Sequence, residues 1–163
     1  MTLHDIEVSE ASQEVVESLS CGDGTKRLPT DLYFEFEAHA DERGVLTVAQ
    51  AVDDAYLPFT VERIFWITQV PADESRGMHA HRTCWEALVA ASGSFKVKID
   101  DGIHPPVVYQ LDSPQKGVLI PPMVWCELYD FTPSTVCLCL ASGKYDKEGY
   151  LSNYADFQQA VRG

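Results

Sequence analysis

Arg76-Gly-Met-His-Ala-His81 places two imidazoles two residues apart in a segment bounded like a β-strand. Side chains at i and i+2 of a strand share a face, so His79 and His81 are expected to point together into whatever lies on that side. Histidine titrates near neutrality, and a convergent pair in a pocket is suited either to proton transfer or to binding a metal. The third reading is a pair of strand histidines without chemistry. Choosing among these requires the elements that would hold the pair in place.

From Asp31 onward the chain consists of short alternating or apolar segments separated by turn signals, the pattern of a sandwich or barrel of many strands. The clearest strands are expected at 32–37, 45–50, 62–70, 86–91, 94–99, 107–111, 117–120, 124–129 and 135–141. Between them, Asp41-Glu-Arg-Gly44, the stretch from Pro71 to Gly77, Ser92-Gly93, Asp100-Asp-Gly102, Ser113-Pro114 and Pro121-Pro122 supply residues that make turns. Strands of this length and spacing close most economically as a small antiparallel barrel. Two short helices are expected at the ends of the chain. One is a weakly amphipathic stretch over 5–19, and the other runs from about Tyr154 to Arg162, with Phe157 and Val161 at i and i+4 facing one way.

The 163 residues, 45% of them apolar, are enough for one domain with a real core. Residues 1–27 read as an acidic, partly helical extension and 28–163 as the domain itself. The formal charge of −13 argues against nucleic acid or an anionic membrane surface as the main partner, since both would be repelled. Six acids and no Lys or Arg fall within residues 1–24, so part of that charge is terminal. Five cysteines without a C-x-x-C pair fit reduced thiols in a cytoplasmic protein. Cys137 and Cys139 share a face of an apolar strand and read as small core residues. The sequence contains neither a membrane-length apolar run nor the basic start of a signal peptide.

A barrel with H-x-H on a strand resembles the cupin architecture, an all-β, antiparallel jelly roll whose mouth holds the ligand. His79, His81, Glu86 and Gly93 match the spacing of the first cupin signature. Two imidazoles and a carboxylate on adjacent strands could form a facial triad for iron, manganese or nickel. The second signature would supply a histidine five residues after a proline, and here Cys126 stands in that place after Pro121.

From about Leu28 to Val161 the chain more closely resembles the nucleotide-sugar 3,4-ketoisomerases, cupins that act on thymidine diphosphate (dTDP) 4-keto-6-deoxyglucose. The resemblance is carried, in order, by Asp41-Glu-Arg-Gly-Val-Leu46, Leu57-Pro-Phe59, Arg63-Ile-Phe-Trp-Ile67, Arg76-Gly-Met-His-Ala-His-Arg82, Gly93-Ser94, Asp100-Asp-Gly102, Ile120-Pro-Pro-Met-Val-Trp125, Leu140-Ala-Ser142 with Tyr145-Asp146, and Tyr150 to Phe157. It implies an enzyme of deoxysugar biosynthesis that uses no metal or other cofactor, forms a homodimer with exchanged N-terminal strands, and gives the acid and base work to His79 and His81. Where this family commonly has glutamine the chain has Glu86, and where it has histidine or arginine the chain has Cys126.

The residues make chemical sense of that assignment. A proton on carbon next to a ketone can be removed because the resulting charge spreads onto oxygen, so the site needs a base at the carbon and donors at the oxygen. Arg43, Arg63 and Arg76 are candidates to hold the oxyanion or the diphosphate, because guanidinium offers a fixed fork of donors. Trp125 is the aromatic candidate for stacking on the substrate, and Cys126 beside it occupies the variable position. A carboxylate at Glu86 is expected to raise the pKa of the histidines. Two other readings stay open: a metal-dependent cupin enzyme using His79, His81 and Glu86, and a sugar-binding cupin without catalysis.

Overall fold

The computed structural model describes residues 32–49 and 57–163. Two five-stranded antiparallel sheets face one another. The first is ordered β1 (Tyr33–Glu35), β9 (Lys116–Ile120), β6 (Glu86–Ser92), β11 (Val136–Ala141) and β4 (Arg63–Thr68). The second is ordered β12 (Tyr150–Leu151), β5 (Arg76–His81), β10 (Trp125–Tyr129), β7 (Phe95–Asp100) and β8 (Val107–Leu111). A separate hairpin pairs β2 (Glu37–Asp41) with β3 (Gly44–Val48), and one helix, α1 (Tyr154–Arg162), closes the chain. The all-β antiparallel class expected from the strand spacing is the one observed. Among the described residues the ladders remain two facing sheets and do not join into a closed cylinder. The helix expected over 5–19, and the boundary at residue 28, lie outside the described residues.

Alternation decides which side of each strand is buried. In β7, Phe95, Val97 and Ile99 point inward with the lysines between them less buried, and in β11 Cys137 and Cys139 do the same. These residues share one core with Leu88 and Val118 of the first sheet and Cys126 and Leu128 of the second. Burial of that apolar surface, at about 25 cal/mol per Å2, holds the sheets together. A second, smaller cluster lies on the outer face of the second sheet, where Ala80, Trp125 and Leu151 pack under Phe157 of α1 with Met123 and Val161 at its edge. The helix starts where the Asn153 side chain accepts hydrogen bonds from the backbone N–H groups of Ala155 and Asp156. Tyr154 then donates its hydroxyl to Asp100 at 2.6 Å, tying the helix to β7.

Strand β5 carries the paired histidines and is irregular. Cys126 of β10 stands opposite His79, but Glu127 stands opposite Gly77, so Met78 is an extra residue in the ladder. Gly77 and Met78 both have positive φ, at 79° and 57°. The bulge places Arg76, opposite Leu128, on the same sheet face as His79 although the two are three positions apart. A Cβ on Gly77 would lie 2.9 Å from the Cys126 carbonyl oxygen and 3.0 Å from Leu128 Cδ1, as well as requiring a left-handed backbone. Gly77→Ala is therefore expected to cost about 2 kcal/mol, read in thermal unfolding as a melting temperature lower by roughly 4 to 8 °C. An unchanged transition would show that the bulge tolerates a side chain.

Candidate active site

His79 and His81 project from β5 toward the first sheet, with Ala80 between them turned to the outer cluster. Their Nε2 atoms are 3.3 Å apart and their rings meet edge to face, with centroids separated by 4.9 Å. The expectation that the pair shares a face holds. Glu86, the first residue of β6, reaches across from the facing sheet and lies 3.1 Å from His81 Nε2. On its other side Arg63 of β4 approaches the same carboxylate oxygen to 3.4 Å. A line of charged and titratable groups thus runs Arg63, Glu86, His81, His79, with both the His81 and the Glu86 side chains only 5% exposed.

The electrostatics follow from that line. Burial opposes ionisation of Glu86, but the His81 hydrogen bond and the nearby positive charge of Arg63 outweigh it and hold the carboxyl below the usual glutamate range. Burial works in the opposite sense on His79 and lowers its pKa, against smaller raising effects from a hydrogen bond with the Gly77 backbone and from Glu86. The carboxylate was expected to raise the histidines. For His79 the loss of solvent is the larger effect, and its neutral, proton-accepting form is favoured near neutrality.

Tyr150, on the short strand β12, packs against both rings at 4.9 Å from His79 and 4.4 Å from His81, and hydrogen-bonds with Arg63. Burial raises its hydroxyl above the ordinary tyrosine range, so it stays a proton donor. Arg63 is braced further, its guanidinium lying 5.0 Å from the Phe65 ring and 6.0 Å from the Tyr145 ring. Beside His81 opens a cavity of about 130 Å3 whose lining includes Arg63, Thr83, Cys84, Ser142, Lys144 and Tyr150.

Of the residues chosen from the sequence, the structure brings together His79, His81, Glu86, Arg63 and Cys126. Cys126 is fully buried opposite His79, and burial keeps its thiol protonated far above the usual range. Arg76 lies exposed at the start of β5 on the histidine face. Arg43 stands apart, in the exposed turn of the β2–β3 hairpin, where it pairs with Asp41. Trp125 does not join the site. Adjacent residues of a strand face opposite ways, so with Cys126 turned inward Trp125 lies under α1, 5.1 Å from Tyr154 and 5.6 Å from Phe157. Tyr150 and Lys144 were missed. Tyr150 lies in a segment that resembles the family, but a two-residue strand has no periodicity by which to aim it.

His79, His81 and Glu86 offer nitrogen and oxygen atoms within 4.8 Å of one another, a spacing compatible with a divalent ion. The charge around them fits poorly. The Glu86 oxygen that would ligate already faces the Arg63 guanidinium, and a dication beside it would add repulsion in a buried setting. A divalent ion is therefore a poor fit to this triad.

Comparison with known proteins shows the family of the chain. The family model described as FdtA: WxcM-like, C-terminal matches residues 30–162. The chain belongs to this family. A TDP-4-oxo-6-deoxy-alpha-D-glucose-3,4-oxoisomerase from Aneurinibacillus thermoaerophilus is 34% identical over 128 residues, covering 77% of this chain and 88% of that relative. A substituted form of the 3,4-ketoisomerase QdtA from Thermoanaerobacterium thermosaccharolyticum, solved with TDP-4-keto-6-deoxyglucose, superposes with a TM-score of 0.76 at 32% identity over 80% of this chain and 92% of that one. The TDP-quinovose 3,4-ketoisomerase WlaRB of Campylobacter jejuni gives a TM-score of 0.72 at 29% identity over 78% and 95%.

Removing Glu86 would strand Arg63 in a buried site. Glu86→Leu is expected to lower stability by about 3 kcal/mol in chemical denaturation. Because the folded carboxyl is held below its unfolded value, its contribution is present above the ordinary glutamate range and is lost as pH falls through the lower, folded value. The difference between wild type and Glu86→Leu should therefore shrink on acidification. A difference that is constant with pH would contradict the charge argument.

Proposed function

We propose that this protein is a sugar-nucleotide 3,4-ketoisomerase that converts TDP-4-keto-6-deoxyglucose to a TDP-3-keto-6-deoxyhexose, acting in deoxysugar biosynthesis. The observation that carries the reading is the pair of imidazoles, His81 buried and His79 half-buried, with their Nε2 atoms 3.3 Å apart, backed by Glu86 and Arg63, in a chain of the 3,4-ketoisomerase family. His79, kept neutral by burial, removes the proton from C3. The electron pair forms the C3=C4 bond and the C4 carbonyl becomes an oxyanion of the enediolate. Tyr150, with Arg63 behind it, donates to that oxygen. His81, whose ring Glu86 orients, carries the proton exchange between the two oxygens, and a proton returned to C4 leaves the carbonyl at C3. Arg76 on the histidine face and Lys144 in the adjoining cavity supply cationic groups for the diphosphate. The reaction is an internal redox change, so no external oxidant is consumed and no cofactor is required.

The family match over residues 30–162 supports one catalytic domain from about residue 28, with the acidic residues 1–27 as an extension. We place the protein in the cytoplasm as part of the same proposal, because its proposed substrate is a nucleotide sugar; among the described residues no helix is long and apolar enough to cross a membrane. We also propose a homodimer. Edge strand β4 exposes Ile64 at 58% and Trp66 at 66%, and the hairpin exposes Val45 and Leu46, more apolar surface than a lone chain usually leaves in water.

His79→Ala and His81→Ala are each expected to reduce turnover of TDP-4-keto-6-deoxyglucose by about 100- to 10,000-fold, followed by NMR in deuterated water, while calorimetry still detects substrate binding. A double variant with wild-type turnover would remove the histidines from the mechanism. Trp66→Glu is expected to shift the species seen by light scattering from two chains to one, and an unchanged mass would place any interface elsewhere.

A further inference from the structure

We propose that His79 and His81 hold opposite tautomers, with the hydrogen of His81 on Nε2 and that of His79 on Nδ1, so that Nε2 of His79 is the atom that takes the substrate's proton. Glu86 and the Gly77 carbonyl are the positioning groups that fix this arrangement. It rests on the ketoisomerase reading above and names the reacting atom of that site.

A neutral imidazole carries one N–H and one bare nitrogen. His81 Nε2 has two polar neighbours, a Glu86 carboxylate oxygen at 3.1 Å and His79 Nε2 at 3.3 Å. An ionised carboxylate only accepts hydrogen bonds, and Glu86 stays ionised because its pKa lies below the usual glutamate range. A bare nitrogen beside it would set a lone pair against that charge where the Glu86 side chain is only 5% exposed. The hydrogen of His81 therefore lies on Nε2 and goes to Glu86.

Two nitrogens 3.3 Å apart do not both carry hydrogens toward each other, since donor would then face donor. With Nε2 of His81 occupied, Nε2 of His79 is bare and its hydrogen belongs on Nδ1. The hydrogen bond made by one ring nitrogen sets the state of the other. Here the Gly77 backbone makes a bond that favours the protonated ring of His79, as an accepting carbonyl does. Gly77 and Met78, both with positive φ, form the bulge that turns this stretch of backbone out of the regular ladder. Beside the pair, Tyr150 hydrogen-bonds with Arg63, and Cys126 is turned into the core. His79 is the less buried of the two rings and so the one a substrate reaches.

The step balances at that atom. The C3–H bond breaks, its hydrogen bonds to Nε2 of His79, and its electron pair forms C3=C4 while the carbonyl pair moves onto O4. His79 is then an imidazolium whose new N–H is opposed by that of His81, which favours release of the proton. The C3=C4 pair takes it at C4 as the O3 proton passes to O4 and an O3 lone pair closes the new carbonyl. One hydrogen has moved from C3 to C4 and one from O3 to O4.

The test is nitrogen NMR of the full chain, labelled at its histidines, near neutral pH and without substrate, with signals assigned by comparison with His79→Gln and His81→Gln. The expected result is a pyrrole-type Nδ1 and a pyridine-type Nε2 for His79, and the reverse for His81. A hydrogen on Nε2 of His79, or the same tautomer in both rings, would overturn the proposal. Glu86→Gln supplies a second readout, because an amide can donate to His81 as well as accept. It is expected to give His81 shifts averaged between the two tautomers and to lower kcat by about tenfold, with KM within about twofold of wild type. Unchanged tautomers in that variant would remove Glu86 as the group that fixes them. The spectra need no substrate, so failure of the tautomers is distinct from failure of TDP-4-keto-6-deoxyglucose to isomerise, which would overturn the reading beneath them.

Discussion

The Glu86 carboxylate, buried between the two sheets, is the constraint on which the rest of the site depends. A carboxylate removed from water is tolerated only where positive charge and hydrogen-bond donors replace the solvent. Here they come from two directions, His81 on the second sheet and Arg63 at the edge of the first. The charge therefore ties the sheets together at the point where the cavity opens. It also sets the orientation of His81, because the ring must present a nitrogen to the carboxylate, and His81 in turn limits where His79 can lie. Tyr150 covers both rings and meets Arg63, which closes the circuit around the charge.

That circuit separates the chemistry of two residues of the same type. His81 is held against a carboxylate in the interior, while His79 is farther from it and its pKa is lowered by burial. In the proposed reaction His79 accepts the proton and His81, 3.3 Å away, exchanges protons with it. The interior thiols beneath them, Cys137 and Cys139 among them, are kept protonated by burial, with that of Cys137 pushed up to about 12, and so add no competing charge or nucleophile near neutrality.

Much of this was legible in the chain because alternation is a local property. The strand from Val107 to Leu111 and the helix from Tyr154 to Arg162 appear at their expected bounds, since each carries its own periodicity and turn residues. The strand expected over 32–37 divides in two. It stops at Glu35, and a second strand from Glu37 to Asp41 forms through pairing with Gly44–Val48, although Ala38, His39 and Ala40 have weak strand propensity. Strand β12 was not legible, because Tyr150 and Leu151 are extended only through their register with His81 and Ala80.

The site divides along the same line. That His79 and His81 share a face is a consequence of the two-residue repeat of a strand and was determined by the order of residues alone, whereas Glu86, on a strand of the facing sheet, was indicated only by the resemblance to the cupin signature. Which way Trp125 turns, that Arg63 and not Arg43 meets the carboxylate, and that Tyr150 covers the imidazoles were decided by pairings between residues tens of positions apart. Sequence periodicity specifies the direction of a side chain relative to its own strand. The identity of the residue it meets depends on which sheet faces that strand and in what register, and those relations exist only once the two sheets have closed over their common core.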